Sequence, residues 1–443
     1  MANELFEGLP EQVAPASGAS GGRPRLRSPV RDQIEWRMAD LDSLLGEDHP
    51  ARLIWAYVER LDLGVLEDRV KAREGVPGHP PISPRLMLAL WLYATSRGVG
   101  SARALARLCA GDDAFRWLCG GVSVNHHTLG DFRVAHPDLL DRLLVENVAA
   151  LAKAGVIDLD TLAQDGMRVR ASAGAASFRR RQTLERCREE ARALVERLRR
   201  EVGDDPGAGA RRLHAAKARA ARERAARVEA ALAALGEAEA RRERRAKTNK
   251  TKTERQKEPR ASTTDPEARV MKMADGGFRP AYNPQIVSAL EAQVVVAVEV
   301  DTTGADRGLI RPLLDAVKAR YGRRPARHLA DGGYTKNEDI EWAHGEGTAL
   351  SCPPIKTKHA TDPFRSRPGD GPGVAAWRAR MASPEGKDRY RRRSIAEGVH
   401  ARFRHWRLTQ FTVRGRDKAR AVLLWFALAN NILRGHALAA RPA

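Results

Sequence analysis

The chain has 443 residues, with 77 Lys or Arg against 56 Asp or Glu, giving a net charge of +21 and a pI of about 10.4. That length allows two or three domains, and that field selects polyanions as partners: DNA, RNA or an anionic membrane surface. No apolar run approaches the ~20 residues of a bilayer span and Met1 to Arg27 holds no apolar signal core, so membrane and secreted classes are set aside in favour of nucleic acid.

Residues 1–30, rich in Gly, Pro, Ser and Arg, read as a disordered basic arm. Residues 31–150 read as a helical DNA-binding domain. Ser83-Pro84 opens one helix as N-cap and first-turn proline. Leu86, Leu88, Leu90, Trp91 and Leu92 make it apolar on most sides, which predicts a central place in the core. Gly98 and Gly100 stop it. Ser101 starts a short helix with Leu105 and Leu108 inward, and Asp113 starts another carrying Phe115, Trp117 and Leu118. Short helices on tight glycine turns permit a helix-turn-helix; a bundle without groove contact is the plainer alternative. The four cysteines, Cys109, Cys119, Cys187 and Cys352, form no C-x-x-C pair and read as free thiols of a reducing compartment. Cys109 and Cys119 with His126 and His127 match no common zinc spacing.

Val156 to Asp160 alternates apolar and polar and predicts a half-buried strand, with Val169 re-entering the sheet and Asp165 between the two pieces. Residues 178–260 differ in composition and read as an insertion. Leu184, Cys187, Ala191, Leu194 and Leu198, then Ala221, Ala225, Val228, Leu232 and Leu235, predict an antiparallel helical hairpin with a narrow apolar seam. Its charged outer faces suit a solvated surface or a DNA backbone equally. Arg241 to Arg260 read as a flexible basic linker. Ile286–Leu290 and Val294–Val300 predict a β-hairpin. Leu309 to Val317 predicts a helix, His328 to Asp331 a strand ended by Gly332-Gly333, Asn337 to His344 a helix, and Thr348 to Cys352 a strand. These alternating elements predict a mixed α/β sheet. Residues 353–383 read as loop. Pro384 predicts one long helix carrying Tyr390 to Arg407, and Arg416 to Leu438 a final apolar helix.

Within that long helix Tyr390, Arg393, Glu397 and Arg404 stand in the frame Y-x2-R-x3-E-x6-R, a spacing that shares one face. A carboxylate flanked by cations and a phenol is what metal-dependent phosphodiester cutting asks for. Two further acids stand at predicted strand ends: Asp165 in Ala-Gln-Asp-Gly and Asp331 in Leu-Ala-Asp-Gly-Gly-Tyr. Hard carboxylate oxygens suit a pair of divalent cations ~3.5–4 Å apart, provided that all three converge. Singly, each acid has a plainer role. Asp165 before Gly166 is a common turn pair, Asp331 ends a strand, and Glu397 among arginines is a surface ion-pair partner worth under ~1 kcal/mol.

At these motifs the chain resembles the DDE-type insertion-sequence transposases that carry an N-terminal helical domain before a ribonuclease-H-like core. The resemblance covers nearly all of residues 31–440. It is carried by Glu47-Asp48-His49-Pro50-Ala51-Arg52-Leu53, by Pro80-Pro81-Ile82-Ser83-Pro84-Arg85-Leu86, and by His127-Thr128-Leu129 with Phe132-Arg133. Ser262-Thr263-Thr264-Asp265-Pro266-Glu267-Ala268, Gly277-Phe278 and Tyr282-Asn283-Pro284-Gln285 follow, then Tyr390, Arg393 and Glu397, with Arg404 where the family usually has Lys. The resemblance implies a catalytic domain of residues 151–177 and 261–443, interrupted by the hairpin and linker of 178–260. It implies Asp165, Asp331 and Glu397 as catalytic metal ligands for two Mg²⁺ or Mn²⁺ ions. Tyr390, Arg393 and Arg404 become phosphate contacts, and Tyr390 is not a nucleophile. The partners it implies are terminal inverted repeats and target DNA, with no membrane, and a homodimer or higher assembly on DNA. The implied setting is the bacterial cytoplasm and nucleoid. A repurposed, non-enzymatic DNA-binding protein and a stand-alone metal nuclease are the competing expectations.

Overall fold

The computed structural model describes residues 40–70, 72, 80–201, 208–248, 258–355 and 362–440. The arm expected at 1–30, and residues 249–257 of the expected linker, lie outside them. Helices come first: α1 (Pro50–Glu59), α2 (Gly64–Glu67), α3 (Pro84–Ser96), α4 (Ala102–Gly111), α5 (Asp113–Cys119), α6 (His126–Ala135) and α7 (Pro137–Lys153). Side chains set their ends. The His49 Nδ1 accepts the Ala51 amide at 3.1 Å, Asp112 accepts those of Ala114 and Phe115, and Asn125 accepts that of Thr128. Arg85 donates to the carbonyls of Val58, Glu59 and Leu61 and so closes the end of α1. Ser83 makes no capping bond, and Pro84 alone marks the start of α3. As its composition predicts, α3 is buried from Leu86 to Thr95.

The rest alternates: β1 (Thr161–Gly166), β2 (Val169–Arg170), β3 (Phe178–Arg179), α8 (Arg181–Arg200), α9 (Ala208–Thr248), β4 (Ala261–Ser262), β5 (Arg269–Lys272), β6 (Phe278–Ala289) and β7 (Val294–Asp301). Then come α10 (Ile310–Tyr321), β8 (Arg327–Leu329), α11 (Asn337–Gly345), β9 (Ala349–Ser351), α12 (Pro372–Ala382), α13 (Pro384–Arg391), α14 (Glu397–His405) and α15 (Arg416–Ala439). The long strand β6 organises the sheet. Its first half pairs with β2 and β5, and its second half with β1 on one side and β7 on the other. From β1 the sheet continues through β8 to β9, both parallel to it. This is the mixed α/β architecture expected, and α8 with α9 is the expected hairpin.

Four local expectations fail, each for a physical reason. Residues 156–160 are not a strand, because the Asp158 carboxylate accepts the Asp160 amide at 2.8 Å and turns the chain. The strand begins at Thr161, so Asp165 lies inside β1 and not between two pieces. The expected loop 353–383 contains α12. Its first turn is capped by Glu341, which accepts the amides of Gly373 and Val374 at 3.0 Å, a partner too distant in sequence to be read locally. The single helix expected from Pro384 to Arg407 is broken by a 3-10 turn at Arg392–Ala396. Finally, α9 runs through Arg241 to Thr248, which were expected to be linker.

The core centres on α15, buried from Ala419 through Ile432 on most positions and packed between β7, α7 and α3. It is the one helix among the described residues with the length and apolarity to cross a membrane, and 72% of that window is buried inside the protein. Its Asn431 accepts the Val295 amide and donates to the Val295 carbonyl, both at 2.7 Å, which satisfies the outer backbone of β7. At its N-terminus the buried Asp265 accepts the Gly415 amide and Glu267 accepts that of Arg416. Arg133, from the N-terminal signature, is buried over the Trp91 ring at 4.7 Å and donates to the Gly100 carbonyl and Thr412. It ties the helical region to the C-terminal segment.

Candidate active site

The parallel pairing of β1 with β8 decides where two of the acids go. The last registered pair is Ala163 with Leu329. Two residues further along stand Asp165, still inside β1, and Asp331, just past the end of β8, so both acids lie at the same end of two adjacent parallel strands. Ala163 and Leu329 pack with Leu290, Ala396 and Ile395. The last two belong to the 3-10 turn immediately before Glu397. An apolar contact thus docks the third acid's segment against the strands that carry the first two.

The polar atoms follow this framework. The Asp165 Oδ1 accepts the Gly166 amide at 2.9 Å, and its Oδ2 accepts from Arg393 at 3.2 Å. The other Arg393 nitrogen donates to the Glu397 Oε1, also at 3.2 Å. One guanidinium therefore stands between Asp165 and Glu397. The Asp331 Oδ1 accepts the Gly333 amide at 2.8 Å. His400, one turn beyond Glu397, places Nδ1 at 3.6 Å from Asp165. Burial, then the cations of Arg404 and Arg393, hold it down to about 4, so it is neutral at pH 7.

Burial raises the pKa of Asp165 against the opposing pull of Arg393. Burial also raises that of Asp331, and the charges of Asp165 and Asp306 push it further. Burial pulls the Arg393 pKa down, but the Asp165 carboxylate and then the Tyr390 phenol outweigh it, so the net shift is upward. Burial likewise raises Tyr390. Two desolvated carboxylates, Asp331 raised further by the charge of Asp165, fit a divalent cation, whose charge would offset that repulsion. Among the described residues, however, no group of three donors stands assembled for a metal. The Glu397 side chain is 60% exposed and engaged with Arg393. The third predicted ligand stands across one guanidinium from the first. Arg404 is exposed, one turn beyond His400.

The sequence reading missed a polar network that joins β1, β6 and the loop after β7. Gln164, Asn283, Gln285 and His328 are all buried, at 0–1% exposure. Gln164 donates to Gln285 and to the Leu309 carbonyl, and its Oε1 pairs with the His328 Nε2 at 3.1 Å. Gln285 and Asn283 both donate to Asp306, at 3.0 and 2.8 Å, and Tyr334 donates to Gln285 at 2.6 Å. Arg168 closes the network on Asp306 at 3.1 Å and on Asn283. Gln164 precedes Asp165, and Tyr334 follows Asp331 by three residues. The network therefore fixes the backbone that carries both acids. Its one legible signal was the Asn283–Gln285 motif. Asp306 had none.

Cys109 and Cys119 hydrogen-bond through their thiols, which pushes Cys109 up and Cys119 down. The His126 and His127 rings stand 4.1 Å apart.

Residues 39–135 match the family model of a transposase domain (DUF772), and residues 246–432 match that of a transposase DDE domain. The second interval contains Asp331 and Glu397, while Asp165 precedes it across the hairpin insertion. No curated protein and no solved structure matches the chain.

Proposed function

Because the chain belongs to the DDE-type insertion-sequence transposases, polynucleotidyl transferases with a ribonuclease-H-like fold that act on DNA, we propose that Asp165, Asp331 and Glu397 are its catalytic carboxylates. On this reading it cuts DNA at the ends of an insertion sequence and joins the freed 3′-hydroxyl to target DNA. The observation that carries the reading is that Asp165 and Asp331 stand at the same end of the paired strands β1 and β8, with Arg393 linking Asp165 to Glu397. The family generally uses divalent metal ions. Two Mg²⁺ or Mn²⁺ ions held by these carboxylates would supply the Lewis acidity that activates the attacking oxygen and stabilises the leaving one.

The chain's own residues do the rest. Arg393 bridges Asp165 and Glu397 in the free protein and offsets part of the repulsion between them. A DNA phosphate competes for the same guanidinium, which releases Glu397 toward the other two acids. Tyr390 and the exposed Arg404 flank that position and hold the strand. The neutral His400 backs Asp165 without adding charge. Cutting and joining are successive in-line displacements at one site, so no covalent enzyme–DNA bond is needed. Pairing of two terminal repeats requires a dimer or higher assembly on DNA.

Asp331→Asn keeps the amide contact of Gly333 and removes the charge. It is expected to abolish cutting of end-containing DNA while leaving affinity within about twofold. Residual cutting above a few per cent would remove Asp331 from the reaction. Strand transfer from a pre-cut end with a 3′-hydroxyl separates the transposase reading from a hydrolytic nuclease, which performs none.

A further inference from the structure

The helical hairpin has no role in the reaction as described. Its inner seam is closed: Leu184, Ala191 and Leu198 of α8 are buried with Ala221, Val228 and Leu235 of α9. Most glutamates of its outer faces are engaged. Arg181 pairs with Glu239, Arg192 with Glu229 at 2.7 Å, Arg224 with Glu190 at 3.7 Å and Arg227 with Glu223 at 3.9 Å. One strip differs. From Ala208 to Arg222, α9 contains no acid, and Arg211, Arg212, Lys217, Arg219 and Arg222 are all exposed. None of the five has an acidic partner among the described residues. At 100° per residue Arg211, Arg212, Arg219 and Arg222 fall within about a quarter-turn of one another, on the side opposite Ala221 and Val228.

We infer that this face of α9 is a docking surface for the phosphate backbone of duplex DNA. The strip spans about 16 Å of helix, the axial length that holds about five phosphates of one strand. A second copy of the hairpin does not suit it. The apolar seam is already used, the one large apolar side chain exposed in this segment, Leu213, lies off the strip, and like charges repel. The Arg181–Glu239 pair marks the hairpin's root, so the strip lies roughly 25–40 Å out along the axis. It therefore meets duplex well away from the root. The inference rests on the family's action on DNA and not on the catalytic triad.

The test uses the full chain with a 60-base-pair duplex of arbitrary sequence, followed by fluorescence anisotropy across a salt series. The quadruple variant R211E/R212E/R219E/R222E is expected to bind more than tenfold more weakly at low salt. Its slope of log K against log salt should be shallower by about three to four, at ~0.9 per phosphate lost. A photo-crosslinking residue at Ala215, exposed on the same side, is expected to label the duplex. Unchanged affinity and slope in a variant of wild-type helicity, or no crosslink at Ala215, would overturn the inference. A change in oligomeric state with DNA binding intact would overturn it in favour of a protein partner. Cutting by the Asp331→Asn variant tests the triad separately, so each idea can fail without the other.

Discussion

At the scale of single residues, the site is built by compensating charges in a dry place. Asp306 and Arg168 are the clearest case. Each side chain is 19% exposed, and Asp306 also takes hydrogen bonds from Asn283 and Gln285. Asp306→Ala removes the only carboxylate that pairs with Arg168 among the described residues and the acceptor shared by the Asn283 and Gln285 amides. It is expected to cost about 3 kcal/mol of unfolding free energy, measured by urea denaturation; a loss under about 1 kcal/mol would mean that the network does not hold the strands. His328 gives a pH signature. Burial lowers it to about 3, against an ordinary 6.5. The unfolded chain binds this proton between those values and the folded chain does not, so stability falls as pH drops from about 6.5 toward 3, by up to ~1.4 kcal/mol per unit. His328→Gln is expected to flatten that slope in unfolding titrations between pH 7 and 4. An unchanged slope would assign the pH dependence to other groups.

At the scale of elements, the decisive feature is the break between α13 and α14. A continuous helix would carry Tyr390, Arg393, Glu397 and Arg404 along one straight face. The 3-10 turn at Arg392–Ala396 instead lets Ile395 and Ala396 reach the sheet, while Arg393 reaches both acids. The position of α13 depends on Gly386. A Cβ there would stand 1.8 Å from the Arg380 carbonyl oxygen, a backbone atom of α12 that cannot rotate aside. Gly386→Ala is therefore expected to displace α13 and to lower DNA cutting at least tenfold, with duplex affinity falling much less. Wild-type cutting by this variant would show that α13 does not position the site.

At the scale of the whole molecule, the helical region and the sheet share one core through α15. Trp425 donates to the Arg133 carbonyl at 2.8 Å, and Arg133 in turn anchors the Gly100 turn to Thr412. The described residues from Leu41 onward accordingly form a single unit. Heating should give one calorimetric transition for this body, because α3 and α7 cannot detach without exposing the apolar faces of α15. Two well-separated transitions would show that the helices fold independently.

Much of this was legible in the sequence, because it depends on local pattern. The apolar run of α3, the seam periodicity of the hairpin, the β-branched runs of β6 and β7 and the buried final helix all declare themselves within a few turns or strand repeats. The same holds for the spacing of Tyr390, Arg393, Glu397 and Arg404, and for the three acids as candidates. What needed the tertiary structure depends on pairing over long separations. The register of β1 with β8 puts Asp165 level with Asp331 across 166 residues. A cap from Glu341 makes α12, and Asp306 becomes a neighbour of the acids only because β7 returns beside β6. Sequence periodicity reports which side of an element is apolar; it carries no information about which distant element that side meets, and the site is made of such meetings.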